Sequence, residues 1–479
     1  MTKKLWGGRF EKEVDKDFFG FQKSLSYDYR LAQHDIFHSF IHTKALHKSK
    51  LLNDDEYNKL HEALRSISKE IRENGPKFIF ECEEATESED IHTFIQNRVG
   101  SKLGEKFEDI ALKLHTLRSR NDQIVFDEKC YCVIEAMYAM IQLLKLQVSL
   151  LVLIENNKNQ YFVGYTHTQR AQAVAFKNYL MTFHDMFERD IEKLKRFEDM
   201  PIYIGAGALT GSSLTKKAYE EAIAEVIKED RLMEKPLAIK LVENGMDNVS
   251  DRDFIIEFLS IFSIIQMHLS RFAEDIILYS TKEFNIIELP EEFCTGSSLM
   301  PHKKNPDLLE LIRGYTGTIY GNLFSVLTTM KGLPLTYNRD MQLDKEPLFS
   351  TVEKIKDELK LLTKFVEKIK VRKGAIKDIL KKDKTLYATE LAEWLVVEHG
   401  EAFKRSHDIA GKVVMMLEKN HGNIEELSGK KLKMLHSKLN KKVLKKIMSA
   451  EYAISSKKTF TTNPPKIEDV RKQIEEQKA

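Results

Sequence analysis

The sequence predicts a mainly α fold, a bundle of long antiparallel helices, on three observations. Residues 105–163, 165–200, 246–289 and 348–373 contain neither Gly nor Pro, which removes the strongest helix breakers from four long windows. Phe176, Leu180, Phe183, Phe187, Ile191, Leu194 and Phe197 recur at steps of three and four, the stripe of an amphipathic helix, and Val352, Ile355, Leu359, Leu362, Val366 and Ile369 repeat the pattern. Strand-like alternation is scarce, and no βαβ rhythm, internal repeat or low-complexity tract interrupts the helical reading. Windows this long exceed ordinary globular helices, so the bundle is expected to be extended by association with other subunits.

A chain of 479 residues suggests about three domains or sub-domains at one per ~150 residues. The divisions expected are a helical domain over 1–112, a long-helix bundle over 113–362 that forms the core of the subunit assembly, and a helical domain over 363–479. The opening ten residues lack the apolar core of a secretory signal, which points to a cytoplasmic chain. The most apolar stretch, Cys130 to Ile154, is interrupted by Glu135, Gln142, Lys145 and Gln147. It reads as a helix buried in protein and too polar to span a membrane. Between Lys430 and Lys446, lysines interleave with Leu432, Leu435, Leu439, Val443 and Leu444, the pattern of a surface helix with a solvated basic face.

The 75 basic and 73 acidic residues nearly cancel, so no global field favours nucleic acid or an anionic membrane, and a small-molecule ligand is the expectation. Four cysteines without a secretion signal read as buried or incidental thiols. His34, His38 and His42 recur every four residues. They could hold a metal, but no carboxylate or cysteine partner follows at a ligand spacing, and a solvated helix face is the preferred reading. No metal and no organic cofactor are expected.

Chemistry concentrates in a few polar strings. Gly296 to Pro306, GSSLMPHKKNP, describes a loop: its hydroxyls, backbone N–H groups, ammonium and amide could surround a developing carboxylate-type anion, or it is an exposed polar turn. Arg118, Arg120, Asn121 and Asp122 precede an apolar helix. They either cap it or, through Arg120, clamp a substrate carboxylate. His167 is available for proton transfer or is a structural histidine. Gly205 to Gly211 superficially suggests a dinucleotide loop, but its spacing is wrong and no βαβ unit surrounds it.

The Gly296–Pro306 string closely resembles the GSSxMPxKxNP loop of the aspartase/fumarase superfamily, and its Lys303-Lys304 and Pro306-Asp307 are similar to the argininosuccinate lyase branch. Leu114 to Gln123 resembles that family's LHTxRSRNDQ element, and Gly164 to Gln172 its GYTHxQRAQ element. Ser250 to Asp253 resembles SDRD, Glu89 to His92 EDIH, and Thr336 to Glu346 the TYNxDxQxDKE stretch. Trp6 to Phe10 and Ser24 to Asp28 resemble N-terminal elements, and Gly205 to Gly211 the GxGALxG loop. Leu117 stands where the family usually has Gly or Ala, His302 where Gln is usual, and Asn248 where Ala is usual.

The resemblance implies a cofactor-free β-elimination of argininosuccinate to arginine and fumarate, in a homotetramer whose subunits share sites. It implies Ser297 as the base that takes the Cβ proton, with Lys303 and Asn305 stabilising the aci-carboxylate. It implies His167, held by Glu310, as proton donor or relay. It also implies that Ser24, Asp28, His92, Arg120, Asn121, Thr166, Tyr337, Gln342 and Lys345 bind the substrate. Adenylosuccinate lyase is the runner-up among enzymes. A structural protein akin to delta crystallin is the runner-up outside them.

Overall fold

The computed structural model describes residues 12, 14–229, 237–459 and 462–478; the Trp6–Phe10 element lies outside the described residues. After two short N-terminal helices come α1 (Ala32–Lys48) and α2 (Asp54–Asn74). A capping box opens α2: Asn53 Oδ1 accepts from Glu56 N at 2.9 Å, and Glu56 Oε2 accepts from Asn53 N at 3.1 Å. α3 (Ile91–Leu103) is capped by Asp90, which accepts from Thr93 N at 2.7 Å.

The central helices are α4 (Arg120–Asn156), α5 (Phe176–Leu194), α6 (Lys216–Glu229), α7 (Asp253–Ser280), α8 (Asp307–Met330) and α9 (Lys345–Val366). Farther on lie α10 (Ala388–His399), α11 (Phe403–Lys419) and α12 (Ile467–Lys478), the last packing back onto α4. With 37 residues α4 is about 55 Å long at 1.5 Å per residue. It packs against α1, α5 and α9, while α7 packs along α8. The fold is mainly α, as the breaker-free windows predict. One apolar cluster runs through these helices, from Leu25 to Ile474.

Burial, not polarity, is what marks α4 and α7 as core helices. Over 18 residues each is apolar enough to cross a membrane in spite of the polar interruptions in α4, yet 67% and 61% of those windows are buried inside the chain.

Three local expectations are corrected. The window 165–200 is not helical throughout: β1 (Tyr161–Thr166) and β2 (Gln169–Ala175) form an antiparallel hairpin before α5 begins. Its two-residue turn puts His167 at φ 54° and Thr168 at φ 57°, left-handed positions that neither residue type advertises. The Lys430–Lys446 segment is two short helices, Gly429–Leu435 and Lys441–Ile447, rather than one, because Leu432, Leu439 and Leu444 must all reach the core. His34, His38 and His42 are buried, not solvated. His42 bonds the Tyr219 hydroxyl at 3.0 Å and Thr116 O at 2.8 Å, and burial pushes all three rings toward the neutral form.

Candidate active site

Within one chain the residues singled out in the sequence fall on three separate surfaces. The first is a cavity of about 120 Å3 where the starts of α3, α4 and α9 converge. Ser24, Asp28, His92, Arg120, Asn121, Tyr337, Gln342 and Lys345 all line it, together with Asp90, Ile124 and Arg339. A larger cavity of about 770 Å3 lies elsewhere, between the end of α4, β1 and the start of α12, and holds none of the residues singled out.

The cavity wall is held by hydrogen bonds that sequence spacing does not reveal. Asp28 accepts from the Ser24 hydroxyl at 2.6 Å and from Ile91 N at 3.1 Å. These bonds favour the carboxylate, but burial and then the neighbouring Asp90 charge outweigh them and push Asp28 up to about 7. Arg120 donates to Glu89 Oε1 at 2.5 Å and to the Thr93 hydroxyl at 2.8 Å, and lies 3.0 Å from Asp90 Oδ2. Gln342 donates to the Tyr27 hydroxyl at 2.9 Å and to Gln22 O at 3.0 Å.

The polar string before α4 does tertiary work. Ser119 supplies the cap, accepting from Asn121 N at 3.2 Å, whereas Asp122 reaches across to accept from Gly205 N at 3.0 Å. Neither Asn121 nor Asp122 caps the helix.

His92 Nδ1 sits 2.8 Å from Asp35 Oδ1 and 3.7 Å from Asp127 Oδ2. These three are the group of metal-capable side chains with ligand-like spacing among the described residues, their donor atoms lying within 4.8 Å of one another. Burial opposes a charged ring, but Asp35 outweighs it and raises the His92 pKa, while burial holds Asp127 well above the usual carboxylate range. A metal would need the imidazole neutral and the carboxylates ionised; in this structure His92 is paired with Asp35 at the cavity wall.

The second surface is the hairpin tip, where Thr166 and His167 are exposed. The third is the Gly296–Pro306 loop, which is a loop as predicted. Thr295–Gly296 pairs with Lys304–Asn305 to close its base, and Asp307 accepts from Thr295 N at 2.9 Å. Inside the loop the Ser297 oxygen accepts from Met300 N at 3.0 Å and Leu299 N at 3.3 Å. Lys303 is exposed, Asn305 donates weakly to Gly296 O at 3.4 Å, and Glu310 is exposed on the first turn of α8. No hydrogen bond or ion pair joins His167 to Glu310, or either surface to the cavity, among the described residues of one chain. Lining residues that the sequence reading left unassigned are Asp90, Ile124 and Arg339; Asp90 and Arg339 lie inside the quoted EDIH and TYNxDxQxDKE elements, the one signal that could have found them.

The chain is thus a mainly α bundle with a charge-rich cavity and two exposed polar elements outside it. The class II fumarase of Schistosoma mansoni, 18% identical, shares the fold with a TM-score of 0.71 over 90% of this chain and 92% of that one. A family model described as a lyase matches residues 8–321, and the chain is a carbon–nitrogen lyase. A second model, described as argininosuccinate lyase C-terminal, matches residues 385–455. The argininosuccinate lyase of Caldanaerobacter subterraneus subsp. tengcongensis is 42% identical over 466 residues, 95% of this chain and 100% of that one. That of Carboxydothermus hydrogenoformans is 40% identical over 474 residues, 98% of each. The chain belongs to the argininosuccinate lyase family.

Proposed function

We propose that the chain carries out the family's reaction, β-elimination of argininosuccinate to L-arginine and fumarate, in the cytoplasm, at sites that a homotetramer assembles from the three surfaces. The observation that carries this reading is their separation. The cavity holds carboxylates and cations, while the serine loop and the histidine hairpin that the family resemblance assigns to proton transfer lie outside it. The side chains of His167, Lys303 and Glu310 are exposed and form no hydrogen bond or ion pair among the described residues, as groups completed by another subunit would be. α8 supports the assembly: Tyr320, Phe324 and Leu327, spaced four and three residues apart, are exposed in one chain and form a short apolar stripe on this helix.

In the assembled site the cavity binds the substrate's carboxylates, amino group and guanidinium. Ser297 takes the Cβ proton. The two backbone N–H groups already directed at its oxygen, from Leu299 and Met300, lower the cost of an alkoxide there. Lys303, Asn305 and the loop N–H groups stabilise the aci-carboxylate that forms. His167, held by a neighbouring subunit's copy of the Glu310 position, supplies the proton that lets the guanidinium nitrogen leave. Purified protein offered argininosuccinate and adenylosuccinate in parallel should release fumarate, read by absorbance, from the first. Release from adenylosuccinate alone would overturn the reading.

A further inference from the structure

Lys345, at the cavity wall, belongs to a buried ring of four charges whose other three members the reaction scheme does not use. Its Nζ lies 2.6 Å from Glu128 Oε1 and 2.8 Å from Asp344 Oδ1. Arg252 closes the ring, its Nε paired with Asp344 Oδ2 and 3.3 Å from Glu128 Oε2. The four side chains expose 3% or less, so water screens none of these interactions. Three elements meet here: Glu128 from the third turn of α4, Arg252 from the residue before α7, and Asp344 and Lys345 from the start of α9. Arg252 is fixed further by donating from Nη1 to Asp251 O at 2.7 Å.

Two carboxylates and two cations balance. Of the four, Lys345 alone lines the cavity; an ammonium carries three protons, so Lys345, which donates to Asp344 and is ion-paired with Glu128, keeps donor capacity for a ligand. Without Arg252 two buried carboxylates would share a single ammonium. The surplus negative charge would draw Lys345 inward and oppose any anion entering the cavity.

We infer that Arg252 is a positioning residue for substrate binding: by neutralising half of the Glu128–Asp344 charge, it leaves the Lys345 ammonium able to hold an anionic group of the substrate. The inference rests on the reading that places Lys345 in the substrate site.

Three variants test it by steady-state fumarate release: Arg252→Met, Arg252→Lys, and the double variant Arg252→Met with Glu128→Gln, which restores the charge balance without restoring the guanidinium. Arg252→Met should raise KM by about tenfold or more with a smaller fall in kcat, the pattern of a lost ground-state contact. The double variant should recover most of that rise, and Arg252→Lys should stay within about threefold of the wild-type KM, since charge is what matters. A double variant no better than Arg252→Met, or a loss confined to kcat, would assign Arg252 a packing role and overturn the inference. If Arg252→Met does not fold, Arg252→Lys decides: a near-normal KM supports the inference, and a tenfold rise overturns it. Lys345→Met separates the two claims. Normal kinetics there would remove Lys345 from the substrate site and take the inference with it, whereas an impaired Lys345→Met beside an indifferent Arg252→Met would sink the inference alone.

Discussion

At the scale of single residues, the departures from the family pattern have physical consequences. Asn248 is 3% exposed, and neither of its side-chain polar atoms has a hydrogen-bond partner among the described residues. A buried donor or acceptor left unpaired costs about 1–3 kcal/mol, which exceeds what the small loss of packing would cost. Asn248→Ala should therefore stabilise the protein by about 1 kcal/mol or more, seen as a higher denaturation midpoint. A lower midpoint would show that the assembled enzyme bonds the amide. Leu117, where Gly or Ala is usual, sits at φ 57°, so this chain accepts backbone strain there that glycine would relieve.

Asp28 sets a pH dependence. Its folded pKa, about 7, lies above the ordinary carboxylate value, so its contribution to stability is present at low pH and lost as pH rises toward 7. Binding runs the other way. A carboxylate meeting the substrate's cationic end must be ionised, so KM should rise as pH falls below about 7, and Asp28→Asn should flatten that limb. A pH-independent KM in the wild type would remove Asp28 from contact with a cationic group. For Ser297, Ser297→Ala leaves Lys303 and Asn305 in place, so kcat should fall by about 10²-fold or more with modest change in KM. A near-normal kcat would move proton abstraction to His167.

At the scale of elements, the two exposed surfaces are built differently from the cavity. The cavity is lined from the ends of long, packed helices and is fixed by them. The His167 turn stands at the end of a two-stranded hairpin, and the Ser297 loop is closed by a two-residue pairing on each side. The hairpin's strands pack on the chain's own core through Phe162 and Val163, which leaves its turn exposed, whereas the serine loop has that two-residue pairing at its base. α8 is where a neighbouring subunit would dock. Phe324 is 71% exposed in one chain, and Phe324→Lys would place a charge in an interface formed there. The variant should shift light scattering to smaller species and lose activity while circular dichroism keeps its helical signal. An unchanged assembly size would exclude this face of α8 as the contact.

At the scale of the whole molecule, the shared-site reading makes a prediction that no single-chain site can meet. His167→Asn and Ser297→Ala should each be inactive alone. If one site draws its hairpin and its loop from different subunits, random mixing leaves roughly a quarter of the sites with both intact, and activity should return after co-refolding. Mixed tetramers, verified by mass, that remain inactive would show that each chain carries its own complete site.

The helical class was legible in residues 105–163 and in the Phe176–Phe197 stripe because breakers and a 3.6-residue period are local properties of the chain. The Ser297 loop was legible as a loop for the same reason, since its Gly, Ser and Pro dictate backbone form without help from the rest of the fold. The His167 hairpin was not, because its turn carries no Gly or Asn and is held in left-handed geometry by the strands it joins. Nor was the burial of His34, His38 and His42, since a helix face turns inward only when α4 and α6 pack over it. The Glu128–Asp344–Lys345–Arg252 ring joins residues up to 217 positions apart (345 − 128), and Asp28 acquires its raised pKa only when the fold buries it and brings Asp90 beside it. Periodicity and turn chemistry act over a few residues and are written in the sequence by itself. Charge balance, proton affinity and the separation of the three surfaces within one chain depend on distances through space, and only the tertiary structure decides those.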